Sequence, residues 1–533
     1  MSSDCLSFSE TSFVSPLLQD YLLQRKELHP FYQRFPEIET FAEQIQEKQA
    51  HYSSDFRRVL VEDLRRQYVG LKQTELVQSQ LDLLNQDQTF TVTTGHQLNL
   101  GTGPLYFLYK ISATINLCRQ LKERYPKNDF VPIYWMATED HDFDEINFLH
   151  LKGQKVQWSR PFGGAVGRMD LQGIEPVLDQ LAAELGEGKY NEELIALFRE
   201  AYQEGNNLAE ATRVLVHHLF GQHGLVILDA DSNALKTLFR PQMRQELEKK
   251  TTFTEVEETN ARLKAVDARY KIQVNPRECN LFYLAEGQRE RIVETSSGYE
   301  LADSKQAFEK SGLLKALEES PERFSPNVMM RPLYQEVILP NLCYIGGGGE
   351  LAYWLQLKDS FTGFGVPFPM LLLRNSVLLW SQKEAQKWAR MGLTIQDLFR
   401  SSSELVNQQV ARTSDIPLSF APQKELLNQQ FKDLFSLAKQ TDASFLGAVA
   451  AQERKQIKGL EQLEKRLLKA QKRKLQAEIT RLTDLHESLF PNGKLQERFE
   501  NFAPYYAQSK GELVEQLIQE LDPIGRDVLV LTL

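Results

Sequence analysis

Apolar positions along the chain change their period several times, and each change marks an element. Over 55–84, leucines recur at helical spacing (Leu60, Leu64, Leu71, Leu76), and the segment 1–85 reads as helical. Residues 89–94 (TFTVTT) are β-branched and aromatic and run into Gly95, the pattern of a strand closed by a turn. After a loop with Gly95, Gly101 and Gly103, Pro104 suits the first turn of a helix. There Leu108, Ile111, Ile115 and Cys118 step by three and four and give one buried face. Residues 132–137 (PIYWMA) are nearly all apolar, as in a strand covered on both sides. Strand, helix and apolar strand make a βαβ unit, which predicts a parallel sheet.

The same pattern continues with interruptions. Residues 146–222 read as an insertion of two short strands and then helices. Residues 224–228 (GLVIL) form a third core strand, and 234–268 are helical. Residues 271–293 read as a hairpin (KIQVN, then LFYLAEG and RIVET) within a second insertion at 251–325. Residues 341–345 lead into four glycines and a helix from Glu350, and 368–373 (FPMLLL) are the last parallel strand. Beyond 381 the period is helical throughout. Ile457, Leu460, Leu463, Leu467 and Ala470 alternate three and four, and Leu475, Ile479, Leu482, Leu485 and Leu489 resume the stripe after a shift. That is coiled-coil spacing with a stutter. Residues 443–489 contain no proline and predict an arm of roughly 70 Å. A helix over 423–438 supplies an antiparallel partner. The expected organisation is a Rossmann-like α/β core over 86–380, a helical coiled-coil arm over 381–510, and a segment 511–533 that returns to the core and ends strand-like.

Composition narrows the class. A chain of 533 residues exceeds one hydrophobic core. No stretch of eighteen apolar residues could span a membrane, and the N-terminus lacks the basic and apolar regions of a secretory signal. Cys5, Cys118, Cys279 and Cys343 are far apart, which fits a reducing cytoplasm and neither a disulfide scaffold nor a zinc ribbon. A net charge of −10 disfavours general nucleic-acid binding. Residues 451–482 are an island of opposite sign, with ten Lys or Arg against four Glu. They read as a solvated helix face, or as an anion-binding arm whose Lys455, Lys458, Lys465, Lys469 and Arg473 would grip tRNA or another RNA.

In open parallel sheets, ligands sit beyond the carboxyl ends of the strands. Four polar clusters fall there. Gly95, His96, Gln97, Gly101 and Gly103 lie between the first strand and its helix, where bare backbone suits a nucleotide. Glu139, Asp140, His141, Asp142, Asp144 and Glu145 follow the second strand. Five carboxylates around one histidine suit an amine or a cation, with His141 as acid–base group, although an acidic loop capping a helix gives the same pattern. Tyr344, Gly346, Gly347, Gly348, Gly349 and Glu350, with Tyr353 and Trp354 one turn on, suit close approach of a ring or phosphate, or close packing against a loop. Arg331 and Arg374 suit a carboxylate or phosphate, or an ion pair with the acidic loop. His217, His218 and His223 sit at a helix end, where capping or packing is the simpler role, and no metal site emerges from the spacing. No P-loop and no serine nucleophile elbow is present.

Taken together, TGHQLNLGTGPLYFLYK (94–110), PIYWMATEDHDFDEIN (132–147), MMRPLYQEVILPNLCYIGGGGELAYW (329–354), LLLRNS (371–376) and LQERFEN (495–501) resemble the cysteine ligases of bacillithiol biosynthesis, the BshC family. The resemblance spans nearly the whole chain in order. It implies a nucleotidylyl-transferase-like Rossmann core related to class I aminoacyl-tRNA synthetases, and a coiled coil that mediates a homodimer. It also implies a ligase that joins the carboxyl of cysteine to the amine of glucosaminyl-malate, with activation by ATP or another nucleotide. In that frame His96, Asp140, His141 and Asp142 are catalytic. Gln97, Asp144, Arg331, Tyr344, Glu350, Tyr353, Trp354 and Arg374 bind substrate, and Gly95, Gly101, Gly103 and Gly346 to Gly349 bind nucleotide.

Overall fold

A computed structural model describes residues 3–8 and 14–533; the remaining positions of the expected N-terminal helical segment lie outside the described residues. The chain forms two compact units, one of Met1–Leu379 with Leu495–Leu533 and one of Trp380–Lys494.

Five parallel strands make the centre of the first unit: β1 (Thr89–His96), β2 (Asp129–Met136), β3 (Val226–Asp229), β4 (Asn341–Gly346) and β5 (Met370–Leu373). Their order across the sheet is β5-β4-β1-β2-β3. The chain thus moves one way from β1 to β3 and then crosses to the other side of β1 for β4 and β5. That is the doubly wound Rossmann arrangement, and its reversal lies between β1 and β4. Helix α1 (Tyr106–Arg124) crosses from β1 to β2 with Leu108, Ile111 and Ile115 buried. Every residue of β1 is buried, including its threonines. Thr91 and Thr93 donate to Asn341 Oδ1 at 3.2 and 2.8 Å, and Asn341 donates to Glu336, which pairs with Lys48 at 3.0 Å. A polar strand can therefore be central, because the hydroxyls of Thr91, Thr93 and Thr94 find partners inside.

Two expectations change. Residues 3–7 are a strand, not helix; they pair antiparallel with Asp527–Thr532, whose other neighbour is Ser376–Trp380. The hairpin begins at Leu281 rather than at 271, joining Leu281–Ala285 to Gln288–Thr295 in a separate five-stranded antiparallel sheet. Residues 271–275 make no ladder because the amides of Gln273 and Val274 donate to the side chain of Gln356 instead, and Pro276 has no N–H to offer.

The second unit is helical. Ala421–Ala438 lies along Ala443–Lys474 and buries Phe431, Ala438 and Val449 between them. The expected continuous arm breaks at Leu475, so its longest helix is 32 residues, roughly 48 Å. Beyond the break, Ile479 packs on Val406 and Val410. Residues 495–510, expected with the arm, belong to the first unit.

Candidate active site

A cleft of about 710 Å³ opens at the carboxyl end of the parallel sheet, where the strand order reverses. Gly95 and His96 from the end of β1, Tyr344 from β4, and Gly347, Gly348 and Glu350 from the turn after β4 line it. Glu350 is bonded on both oxygens. Tyr344 donates to Oε1 at 2.7 Å, and Lys110 Nζ and the Gly347 amide donate to Oε2 at 2.8 Å each. Burial opposes its charge, but Lys110 and these hydrogen bonds outweigh it and hold the carboxyl down at about 2. Lys110 also donates to the Gly95 carbonyl, and burial pulls its own pKa below the ordinary lysine range although Glu350 pushes back.

Arg374 ends β5 beside the cleft. It pairs not with the acidic loop but with Glu497 at 2.6 Å and lies 4.8 Å from the Tyr106 ring centre. Glu497 also accepts from the Ser376 hydroxyl and the Val377 amide. Arg331 donates to the Tyr353 hydroxyl at 3.0 Å.

The acidic loop after β2 forms the other side. Gln97 donates to Asp140 at 2.8 Å and to Glu145 at 3.1 Å. Glu139 turns inward to Lys236 at 2.6 Å, which also meets Asp231 at 3.1 Å. Burial works against the Lys236 charge, but Glu139 and Asp231 outweigh it and keep it protonated. His141 meets Arg289, which arrives from the inserted antiparallel sheet and donates to Nδ1 at 2.8 Å. A guanidinium can only donate, so Nδ1 is the acceptor and the ring proton sits on Nε2. Arg289 is fixed in turn by Ser325, by the Pro326 carbonyl and by the Phe282 ring 3.9 Å beneath it. The ligand atoms of Asp140, His141 and Asp142 lie within 4.8 Å of one another, close enough to hold a cation. Arg277, Arg291 and Arg498 also line the cleft, with no ion pair among the described residues.

Comparison with known proteins assigns the chain to a family. Residues 1–375 match the family model "Bacillithiol biosynthesis BshC, N-terminal Rossmann-like domain", and 377–533 match the corresponding "C-terminal coiled-coil domain". The chain belongs to the BshC family. A relative from Christiangramia forsetii named "Putative cysteine ligase BshC" is 49% identical, over 100% of this chain and 99% of its own. One of the same name from Flavobacterium johnsoniae is 49% identical over the full length of both. Among solved structures, the tryptophanyl-tRNA synthetase of Plasmodium falciparum aligns over 93% of this chain and 99% of its own, at 10% identity and a TM-score of 0.24.

In this BshC chain the residues singled out in the sequence separate into two groups. Gly95, His96, Gln97, Asp140, His141, Asp142, Arg331, Tyr344, Gly347, Gly348, Gly349, Glu350, Tyr353 and Arg374 all line the cleft. Gly101, Gly103, Asp144, Gly346 and Trp354 do not. Gly101 and Gly103 have φ of +53° and +69°, and their carbonyls accept from Asn501 Nδ2, so they shape a buried loop. Asp144 is exposed on the short helix Phe143–Ile146, and Trp354 stacks beneath Tyr344 at 4.6 Å in the core. A side chain on Gly346 would meet Leu351 at 2.8 Å, so this glycine serves close packing. Sequence reading missed Lys110, Arg289 and Glu497. Lys110 left a signal, being the only charge in the apolar run 104–118.

Proposed function

We propose that the cleft joins the carboxyl of L-cysteine to the glucosamine amine of glucosaminyl-malate, forming the amide of bacillithiol in the cytoplasm. The observation that carries this reading is the division of charge within one cleft. Asp140 and Asp142 supply carboxylates on one side, and Arg277, Arg291 and Arg498, with no ion pair among the described residues, supply cations. An ammonium suits the first set, and malate carboxylates or phosphates suit the second.

Amide formation requires an activated acyl group, for which the reading invokes ATP or another nucleotide. Gly347 to Gly349 offer it bare backbone; a side chain on Gly349 would meet nothing within 4 Å. The amine attacks the acyl carbon, the C–N bond forms, and the leaving group departs with its electron pair. Asp140 and Asp142 hold the amine and receive its proton, while His141, with Nδ1 occupied by Arg289, donates from Nε2. The helical unit pairs two chains in this reading. The experiment is direct: incubate the purified protein with cysteine, glucosaminyl-malate and ATP, and look for the amide by mass spectrometry. No amide with ATP or with other nucleoside triphosphates would refute it.

A further inference from the structure

Arg331 lies in the first turn of the helix Met330–Ile338 and lines the cleft. Its Nη2 donates to Tyr353, and its guanidinium lies 5.9 Å from the Tyr344 ring centre. Nη1 is buried and makes no hydrogen bond. Among the described residues Arg331 forms no ion pair, and Glu350 is already engaged by Lys110, Tyr344 and the Gly347 amide. Guanidinium does not shed its proton, so this is a buried positive charge that forms no ion pair, with Glu350 acting on it only as a more distant charge. Such a charge is costly unless something pairs with it.

The space before Nη1 is the space over Gly95. A Cβ built there would sit 3.5 Å from Nη1 and 3.2 Å from the Tyr344 hydroxyl. Gly95 is not in the left-handed region, so its backbone does not call for glycine. Its bareness keeps a notch open. Tyr344 spends its proton on Glu350, and Tyr353 accepts from Arg331. The notch therefore offers one donor, Arg331 Nη1–H, on a positive charge that forms no ion pair among the described residues, with the Trp135 carbonyl 3.8 Å from the Cβ position on its far edge.

We propose that the notch over Gly95 seats one oxyanion of a ligand, a substrate carboxylate or a nucleotide phosphate, with Arg331 as its counter-ion. The choice of ligands rests on the ligase reading; the seat does not. Calorimetric titration of the full-length protein with L-cysteine, glucosaminyl-malate and ATP, each alone, tests it. Arg331→Met should weaken one of the three about 10- to 100-fold, the range for a lost hydrogen bond to a charged group, and leave the others unchanged. Gly95→Ala, which fills the notch and keeps the charge, should weaken the same ligand. The ligand affected tells carboxylate from phosphate. Wild-type affinity of Arg331→Met for all three would overturn the seat, as would failure of the wild type to bind any. A protein that makes no amide yet loses one ligand in both variants keeps the seat and loses the ligase reading. One that makes amide with undiminished affinity in both variants does the reverse.

Discussion

His96 closes β1 with its ring 5.3 Å from Tyr106 and 5.0 Å from Phe107, in the interior beside the cleft. Burial, helped by the Lys110 charge, pushes its pKa down to about 3 from an ordinary 6.5. The ring is therefore held neutral through the working pH range, which argues against a proton-carrying part in the catalytic role that the resemblance implied for it. Its effect is on stability. Between pH 6.5 and 3 the unfolded chain binds a proton that the folded chain refuses, so the stabilisation is complete above 6.5 and is lost as pH falls toward 3. Urea unfolding of wild type and His96→Gln across that window should show a steeper loss in the wild type; parallel curves would contradict the buried neutral ring. Glu350 has the same sign at lower pH. Its carboxyl is held at about 2 against 4.5, so its contribution is complete above 4.5 and fades as pH falls toward 2. Glu350→Gln should lose about 1–3 kcal/mol at pH 7, and the gap to wild type should close in acid. The types and spacing of residues such as Glu350 were legible, because glycine runs and carboxylates at strand ends stand out locally. Lys110 was not read, because a lysine on an apolar helix face gives no hint of the Gly95 carbonyl and Glu350 that receive it.

Elements were legible where periodicity was long and self-sufficient. All five core strands and α1 show in the apolar pattern, since a strand covered on both faces has to be apolar or internally bonded. Segment 271–275 failed because strand propensity says nothing of Gln356, which takes its amides. The helical unit was legible as a stripe but not as a break, and the break divides the stripe's use. Ile479, Leu482, Leu485 and Leu489 are buried within the chain, whereas Leu463 remains exposed, as do Leu437 and Phe445 outside the stripe. In the proposed dimer, the exposed half is the part that would meet a second chain. Replacing Leu460 and Leu467 with Lys should convert a dimer to a monomer in sedimentation velocity; a wild type already monomeric at micromolar concentration would sink the proposal. The loop at Gly101 and Gly103 is held by Asn501, which donates to both carbonyls at 2.8 and 2.6 Å. Asn501→Ala should cost about 1–3 kcal/mol in denaturant unfolding by orphaning them.

At the scale of the whole molecule, the cleft joins three parts of the chain that no local pattern connects: the loop after β2, the inserted antiparallel sheet and the segment 495–501. Arg289 is 148 residues from the His141 it bonds. That contact bears on what the acidic loop can hold. Asp140, His141 and Asp142 are spaced for a cation, yet a ring nitrogen that accepts from a guanidinium has no lone pair left there for a metal, and Arg289 brings its own positive charge to the place. The arrangement favours an ammonium held by the two aspartates over a divalent ion held by all three. Activity should then survive EDTA after any metal required by the nucleotide is restored as Mg²⁺. Arg289→Met should lower turnover more than Asp144→Asn, since Asp144 lies outside the cleft, and it should raise the affinity of the protein for Zn²⁺ by freeing Nδ1. If EDTA abolished activity and Mn²⁺ or Zn²⁺, but not Mg²⁺, restored it, the loop would be a metal centre, Arg289 would have to leave His141 in the working enzyme, and the amine would have to bind elsewhere.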